Sequence, residues 1–174
     1  MALLAEEIVE EWLNRKGYFT IRGIKIGVQE IDLLAVRLID QKVECRHIEV
    51  QASINAVSYV TGVSKAIQKE QGRSANSAKK RSSEELESCV KEWIEKKFLM
   101  KSKEKIREEI VSGGDWSYEL VVNHVKHPEE LDVIKRNGVN VIALSSVIDD
   151  LRTEKGLVPA ASGSDFVELV LMGV

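Results

Sequence analysis

The chain has 174 residues, 44% of them hydrophobic and 30% charged, with only 2 Pro and a formal net charge of −3. That length and balance predict one globular domain with a real core and exclude a disordered composition. No run approaches the roughly 18 apolar residues of a membrane span, and Met1–Ala5 meets Glu6 and Glu7 too soon for a signal-peptide core.

Cys45 and Cys89 have neither zinc-type spacing nor a disulfide pattern, so a reducing, cytoplasmic setting is expected. The charge is unevenly spread. Residues 65–107 carry 13 Lys and Arg against 7 Glu, and the rest of the chain carries 12 against 21 acids. A basic segment on an acidic body suits a polyanion partner, and it equally suits solvated helices with i,i+4 ion pairs.

Residues 3–16 predict a helix, with Leu4, Ile8, Val9, Trp12 and Leu13 on one stripe and Gly17 as its stop. Tyr18–Ile26 reads as a strand with Gly23 marking a bulge. Glu30–Ile39 is apolar on both faces, as in a covered central strand. Val43–Ala52 follows a short turn at Asp40-Gln41-Lys42. Residues 54–71 show Val57, Val60, Val63 and Ile67 at helical spacing. Gly72–Ser83 is a polar, basic loop. Ser82-Ser83-Glu84-Glu85 resembles a capping box opening a second long helix, with a break near Lys101–Lys103 and an end at Gly113-Gly114. Tyr118–Val125 and Val139–Leu144 read as buried strands, separated by a helix from His127-Pro128 to Asn137-Gly138. A short helix over 146–153 follows, and Phe166–Met172 fits a last strand or helix. Three strands joined by short turns predict antiparallel pairing, and the later helix–strand alternation predicts parallel additions. The expected fold class is α/β, a mixed central sheet flanked by helices.

The chemistry centres on Asp32 in Glu30-Ile31-Asp32-Leu33-Leu34-Ala35, and on Glu49 and Gln51 in His47-Ile48-Glu49-Val50-Gln51. Strand side chains alternate, so Cys45, His47, Glu49 and Gln51 share one face. If the two strands pair around the turn, Asp32 and Glu49 converge at one end of the sheet. Two carboxylates and an amide oxygen suit a hard divalent cation, which polarises a phosphodiester and activates water.

These residues resemble the PD-(D/E)XK nuclease superfamily, with the restriction-endonuclease-like fold. Residues 28–53 are similar to Holliday-resolvase-like and RecB-type nucleases. The resemblance implies a single nuclease-like domain over 1–174 with a basic helical insertion at about 65–112. It implies a Mg²⁺- or Mn²⁺-dependent phosphodiesterase acting on DNA, and a homodimer is how such enzymes often cut both strands. Asp32 and Glu49 match the two metal-binding acids. Gln51 stands where the family has lysine, and glutamine cannot place a positive charge beside the phosphate. Lys65 on the next helix is the expected substitute. Glu6 matches the helix glutamate of the family ahead of Glu7. Arg73, Lys79, Lys80 and Arg81 in the basic loop, with helix 84–107, are expected to grip the DNA backbone.

His47 is placed on the site face by parity. Gln68 and Tyr59 match the polar helix residues of RecB-type nucleases only weakly in spacing. Trp12, Trp93 and Trp116 read as core or interface residues, His124 and His127 lack metal-like partners, and Ser145-Ser146 reads as a helix cap. Two other functions stay open: a binding module that keeps the nuclease fold without catalysis, and an assembly factor dimerising through 84–111.

Overall fold

The computed structural model describes residues 2–53, 55–153, 156–157 and 165–172. Helix α1 (Ala2–Arg15) leads into three strands, β1 (Phe19–Ile26), β2 (Gln29–Ile39) and β3 (Lys42–Gln51). The crossover to β4 (Trp116–Val122) carries α2 (Lys65–Gln71), α3 (Ser83–Ile94), a π-helical turn (Glu95–Leu99) and α4 (Lys101–Ile110). Then come α5 (Glu129–Arg136), β5 (Val139–Ala143), α6 (Leu144–Thr153) and α7 (Asp165–Met172). The fold class is α/β, as expected: one five-stranded mixed sheet in the order β1-β2-β3-β4-β5. The first three strands are antiparallel, and β4 and β5 add in parallel. No helix among the described residues is long and apolar enough to cross a membrane.

Alternation splits the core in two. Leu33, Ala35, Ile48, Val50 and Val121 face α1 and α6, burying Val9, Leu13 and Val147. Leu120, Val122 and Val139 face the other way, against Leu86, Val90, Trp93 and Phe98 from α3 and the π turn, and against Val133 and Ile134 of α5. The basic crossover is therefore not an appendage, because it supplies much of the second core. Trp12 and Trp93 are core residues, as expected. Beyond α3, the same side of the β1–β2–β3 hairpins leaves Phe19, Leu38 and Val43 exposed.

Two local features match the chemistry of their residues. Ser82 caps α3, accepting from the Glu85 N–H while the Glu85 carboxylate accepts from the Ser82 N–H, a reciprocal capping box. The β2–β3 turn uses Asp40 and Gln41, both at positive φ (48° and 64°), between the paired Ile39 and Lys42. That is the backbone a two-residue primed turn demands.

Two expectations fail. Residues 54–71 are helical only from Lys65. Upstream, tertiary partners take the backbone N–H groups that a helix would use. Val57 donates to the His124 carbonyl, Val60 and Thr61 donate to Glu130, and Val63 donates to the Ala75 carbonyl. The apolar spacing there reflects burial without a helix. Gly23 is not a bulge, because the β1–β2 register runs unchanged from Arg22↔Leu33 to Ile24↔Ile31. Its φ of +69° instead interrupts the ladder opposite Asp32. The last segment, open between strand and helix in the sequence, is a helix over Asp165–Met172.

Candidate functional site

The β2–β3 pairing ends at Leu33↔Ile48. One step further, Asp32 falls opposite Glu49, with both side chains on the α3 side by alternation. The strands part there. The Val50 N–H, which no longer finds a ladder carbonyl, donates to Asp32 Oδ2 at 2.8 Å. This bond fixes the Asp32 carboxyl in the gap. Burial and the Glu49 charge push its pKa up to about 7, against the pull of Lys97 and the Val50 N–H. Lys97 therefore offsets only part of the effect of burial and Glu49 on Asp32.

Glu49 is 2% exposed and heavily partnered. Its Oε2 accepts from Lys97 Nζ at 2.5 Å. Its Oε1 accepts from Lys103 Nζ at 3.1 Å and lies 3.3 Å from His47 Nε2. Burial raises its pKa, but His47, Lys97 and Lys103 outweigh burial and hold Glu49 below the usual value. On the other ring nitrogen, Arg107 Nη1 reaches His47 Nδ1 at 2.9 Å. Guanidinium can only donate, so Nδ1 accepts and Nε2 carries the proton toward Glu49. Burial lowers the His47 pKa to about 4, so the ring is neutral at pH 7.

The two lysines have different situations. Lys103 is fully buried, and its three protons match three acceptors: Glu49 Oε1, the Glu30 carbonyl at 2.6 Å and the Lys97 carbonyl at 2.8 Å. Burial leaves its pKa lowered. The Lys97 side chain is 32% exposed, and Glu49 with Asp32 raises its pKa despite burial. Lys103 and Arg107 also serve the π turn, where carbonyls lose their α-helical partners. Lys103 takes the carbonyl of Lys97, and Arg107 takes that of Phe98 at 2.8 Å.

The remaining expected residues divide. Glu6 is 8% exposed on α1, and burial together with Glu30 and Glu49 raises its pKa, so it lies within the field of the cluster. Glu7 instead pairs with Arg22 at 3.4 Å. Gln51 is half-buried and lines a cavity of about 270 Å³ with Tyr59, Thr61, Asn76, Ser77 and Arg81. Lys65 is exposed at the start of α2, where its backbone N–H donates to Glu92, and the lysines acting on Glu49 are Lys97 and Lys103. Arg81 does not face solvent. It is 6% exposed, stacked 3.9 Å over Tyr59 and bonded to Thr61 and Glu130. Arg73 is tied to Glu85 and to the Lys79 carbonyl. Of the expected backbone-gripping residues, Lys79 and Lys80 are exposed. Gln68 bonds the Val63 carbonyl, and His127 stacks on Tyr59 at 4.4 Å.

Sequence reasoning missed Lys97, Lys103 and Arg107 as members of this cluster. The available signal was the i,i+4 pair Lys103 and Arg107 five and nine positions after Phe98, in a helix whose other charges are exposed.

The donor set fits a hard divalent ion in kind: two carboxylates on neighbouring strands, one of them with a pKa that stays raised despite Lys97, and two ammonium groups standing on the other. Among the described residues, no three His, Cys, Asp or Glu side chains converge as a metal-holding group. Two carboxylates with water are the pattern Mg²⁺ favours.

No family model matches the chain, and no curated protein matches it. Among solved structures it is similar to the protein of unknown function AF1548, at 13% identity and a TM-score of 0.48, over 99% of this chain and 79% of that one.

Proposed function

We propose that the protein is a metal-dependent nuclease of the PD-(D/E)XK type that hydrolyses DNA phosphodiester bonds. One observation carries the reading: Asp32 and Glu49 come together where β2 and β3 part, and the Asp32 carboxyl is pushed up to about 7 by burial and by Glu49. A buried acid pair under that strain is stabilised by a cation. Asp32 and Glu49 would hold Mg²⁺ or Mn²⁺. The ion, when bound, supplies Lewis-acid polarisation of the phosphodiester and a more acidic water.

The chain's own residues do the rest. The Val50 N–H fixes Asp32. His47 and Lys103 fix Glu49 from behind, so its remaining oxygen is directed at Lys97. The partly exposed Lys97 supplies the positive charge that Gln51 cannot. Gln51, on the same strand face as Glu49, offers an uncharged hydrogen-bonding amide. Lys79 and Lys80 contribute salt-dependent attraction for the backbone.

The test is nicking of supercoiled plasmid by purified protein with Mg²⁺ or Mn²⁺. Cleavage is expected, along with its loss in Asp32→Ala. Undiminished cleavage by that variant would remove the site from the reaction. A second reading, a nuclease-fold DNA-binding protein without catalysis, draws on the two ammonium groups already seated on Glu49. Salt-sensitive DNA binding with no metal-dependent turnover would favour it.

A further inference from the structure

The Glu49 cluster holds two lysines where one would balance its charge, and they are built differently. Lys103 is locked. It is fully buried, its three protons are used, and two of its acceptors are main-chain carbonyls. Lys97 makes one side-chain hydrogen bond, to Glu49 Oε2, and a third of its side chain is exposed. Its backbone does not depend on that bond. The Lys97 carbonyl is held by Lys103, and the next carbonyl in the π turn is held by Arg107. The ammonium can therefore leave Glu49 by side-chain rotation alone, while the turn and Lys103 stay in place.

We infer that Lys97 is a resident counter-cation, which occupies Glu49 Oε2 in the metal-free protein and is exchanged for a divalent ion at Asp32 and Glu49. A divalent ion and an ammonium on one carboxylate oxygen repel strongly at that range, so ion and ammonium compete for the oxygen that Lys97 now uses. The exchange has two consequences. Lys97 weakens metal binding, because the ion must displace it. The released ammonium is then a free cation beside the ion, available to a phosphate oxygen. In metal-free protein the same lysine keeps Glu49 from standing as an unpaired buried charge. This inference rests on the metal-site reading above, but its test does not require hydrolysis.

The experiment is titration of full-length protein with Mn²⁺ alone, followed by calorimetry, for wild type, Lys97→Gln, Lys97→Met and Asp32→Ala, each verified as folded by circular dichroism. The Lys97 variants are expected to bind Mn²⁺ tighter than wild type, on the order of tenfold, and Asp32→Ala is expected to bind it far more weakly. Equal or weaker binding by both Lys97 variants overturns the exchange, as does absence of Mn²⁺ binding in every form. A measurement free of substitutions is the side-chain ammonium ¹⁵N signal of Lys97. It should be protected from exchange in metal-free protein and lose that protection on saturation with Mg²⁺. Persistence of the protected signal at saturation also overturns it. If the Lys97 variants bind tighter but nothing cleaves DNA, the counter-cation role stands and the nuclease reading falls. If wild type cleaves and the variants bind Mn²⁺ no better, the reverse holds.

Discussion

Glu49 and Glu130 are both buried carboxylates with basic partners, and they differ in what surrounds them. Glu130 accepts from the Val60 N–H, the Thr61 N–H and the Thr61 hydroxyl, with Arg81 at 3.4 Å. The Val60 and Thr61 groups belong to the packing of the 57–62 segment against α5, and Arg81 comes from the loop before α3. Burial raises the Glu130 pKa and its hydrogen bonds pull it back, and Arg81 is itself 6% exposed. Glu130 is a fastener: it ties irregular backbone to a helix. Glu49 has a second acid opposite it, a third nearby in Glu6, and one partner that reaches solvent. Burial alone does not separate a structural carboxylate from a chemical one. The useful marks are a neighbouring acid whose pKa stays raised and a cation partner that reaches solvent.

That contrast can be broken in order of expected effect. Asp32→Ala or Glu49→Gln should lower metal-dependent plasmid cleavage by at least on the order of a thousandfold, read as initial nicking rates. Glu130→Ala should act on stability instead. It orphans two backbone N–H groups and Arg81, so urea unfolding should show a loss of about 3 to 5 kcal/mol. Any Glu130→Ala protein that remains folded should retain cleavage. If cleavage is lost in that folded protein, the distinction between fastener and site fails.

The next effect is a pH dependence. The pKa of Asp32 is raised on folding, to about 7. In the metal-free protein its penalty is therefore absent below the unfolded value near 4, grows as pH rises and is complete above 7. Asp32→Asn keeps an acceptor for the Val50 N–H and removes the penalty. It should stabilise the metal-free protein by about 2 kcal/mol at pH 8, with the gain fading toward pH 4, measured by urea unfolding across that range. A gain that is constant with pH would contradict the raised value. The smallest effect belongs to the exposed loop. Lys79→Ala and Lys80→Ala should each lower the salt dependence of DNA affinity by about one unit of slope, with little change in stability.

Asp32 and Glu49 were legible in the sequence because strand alternation is a local rule and the short Asp40-Gln41 turn fixed which strands pair. The capping box at Ser82 and the break near Lys101 were legible for the same reason, since each is set by residues a few positions apart. The partners of Glu49 were not. Lys97, Lys103 and Arg107 come 48 to 60 positions later in sequence than the Glu49 and His47 side chains they contact. In a stretch rich in lysine, nothing local separates an inward cation from a solvated one. Arg81 failed in the opposite sense: it lies in a basic loop, yet Tyr59, Thr61 and Glu130 draw it into the interior. The helix expected from residue 54 failed because apolar spacing reports burial and does not report where the backbone N–H groups find acceptors.

The tight turn at Asp40-Gln41 has a reach beyond its own two residues. Seven strand positions, about 24 Å of extended chain, separate Ile39 from Asp32, yet the pairing Ile39↔Lys42 sets the phase of everything upstream. One added residue in that reversal, absorbed as a register slip, would bring Asp32 opposite Val50, whose side chain points the other way. The two acids would then lie on opposite surfaces of the sheet, with every atom of both still present. A turn remote from the two acids thus decides whether they share a surface of the sheet.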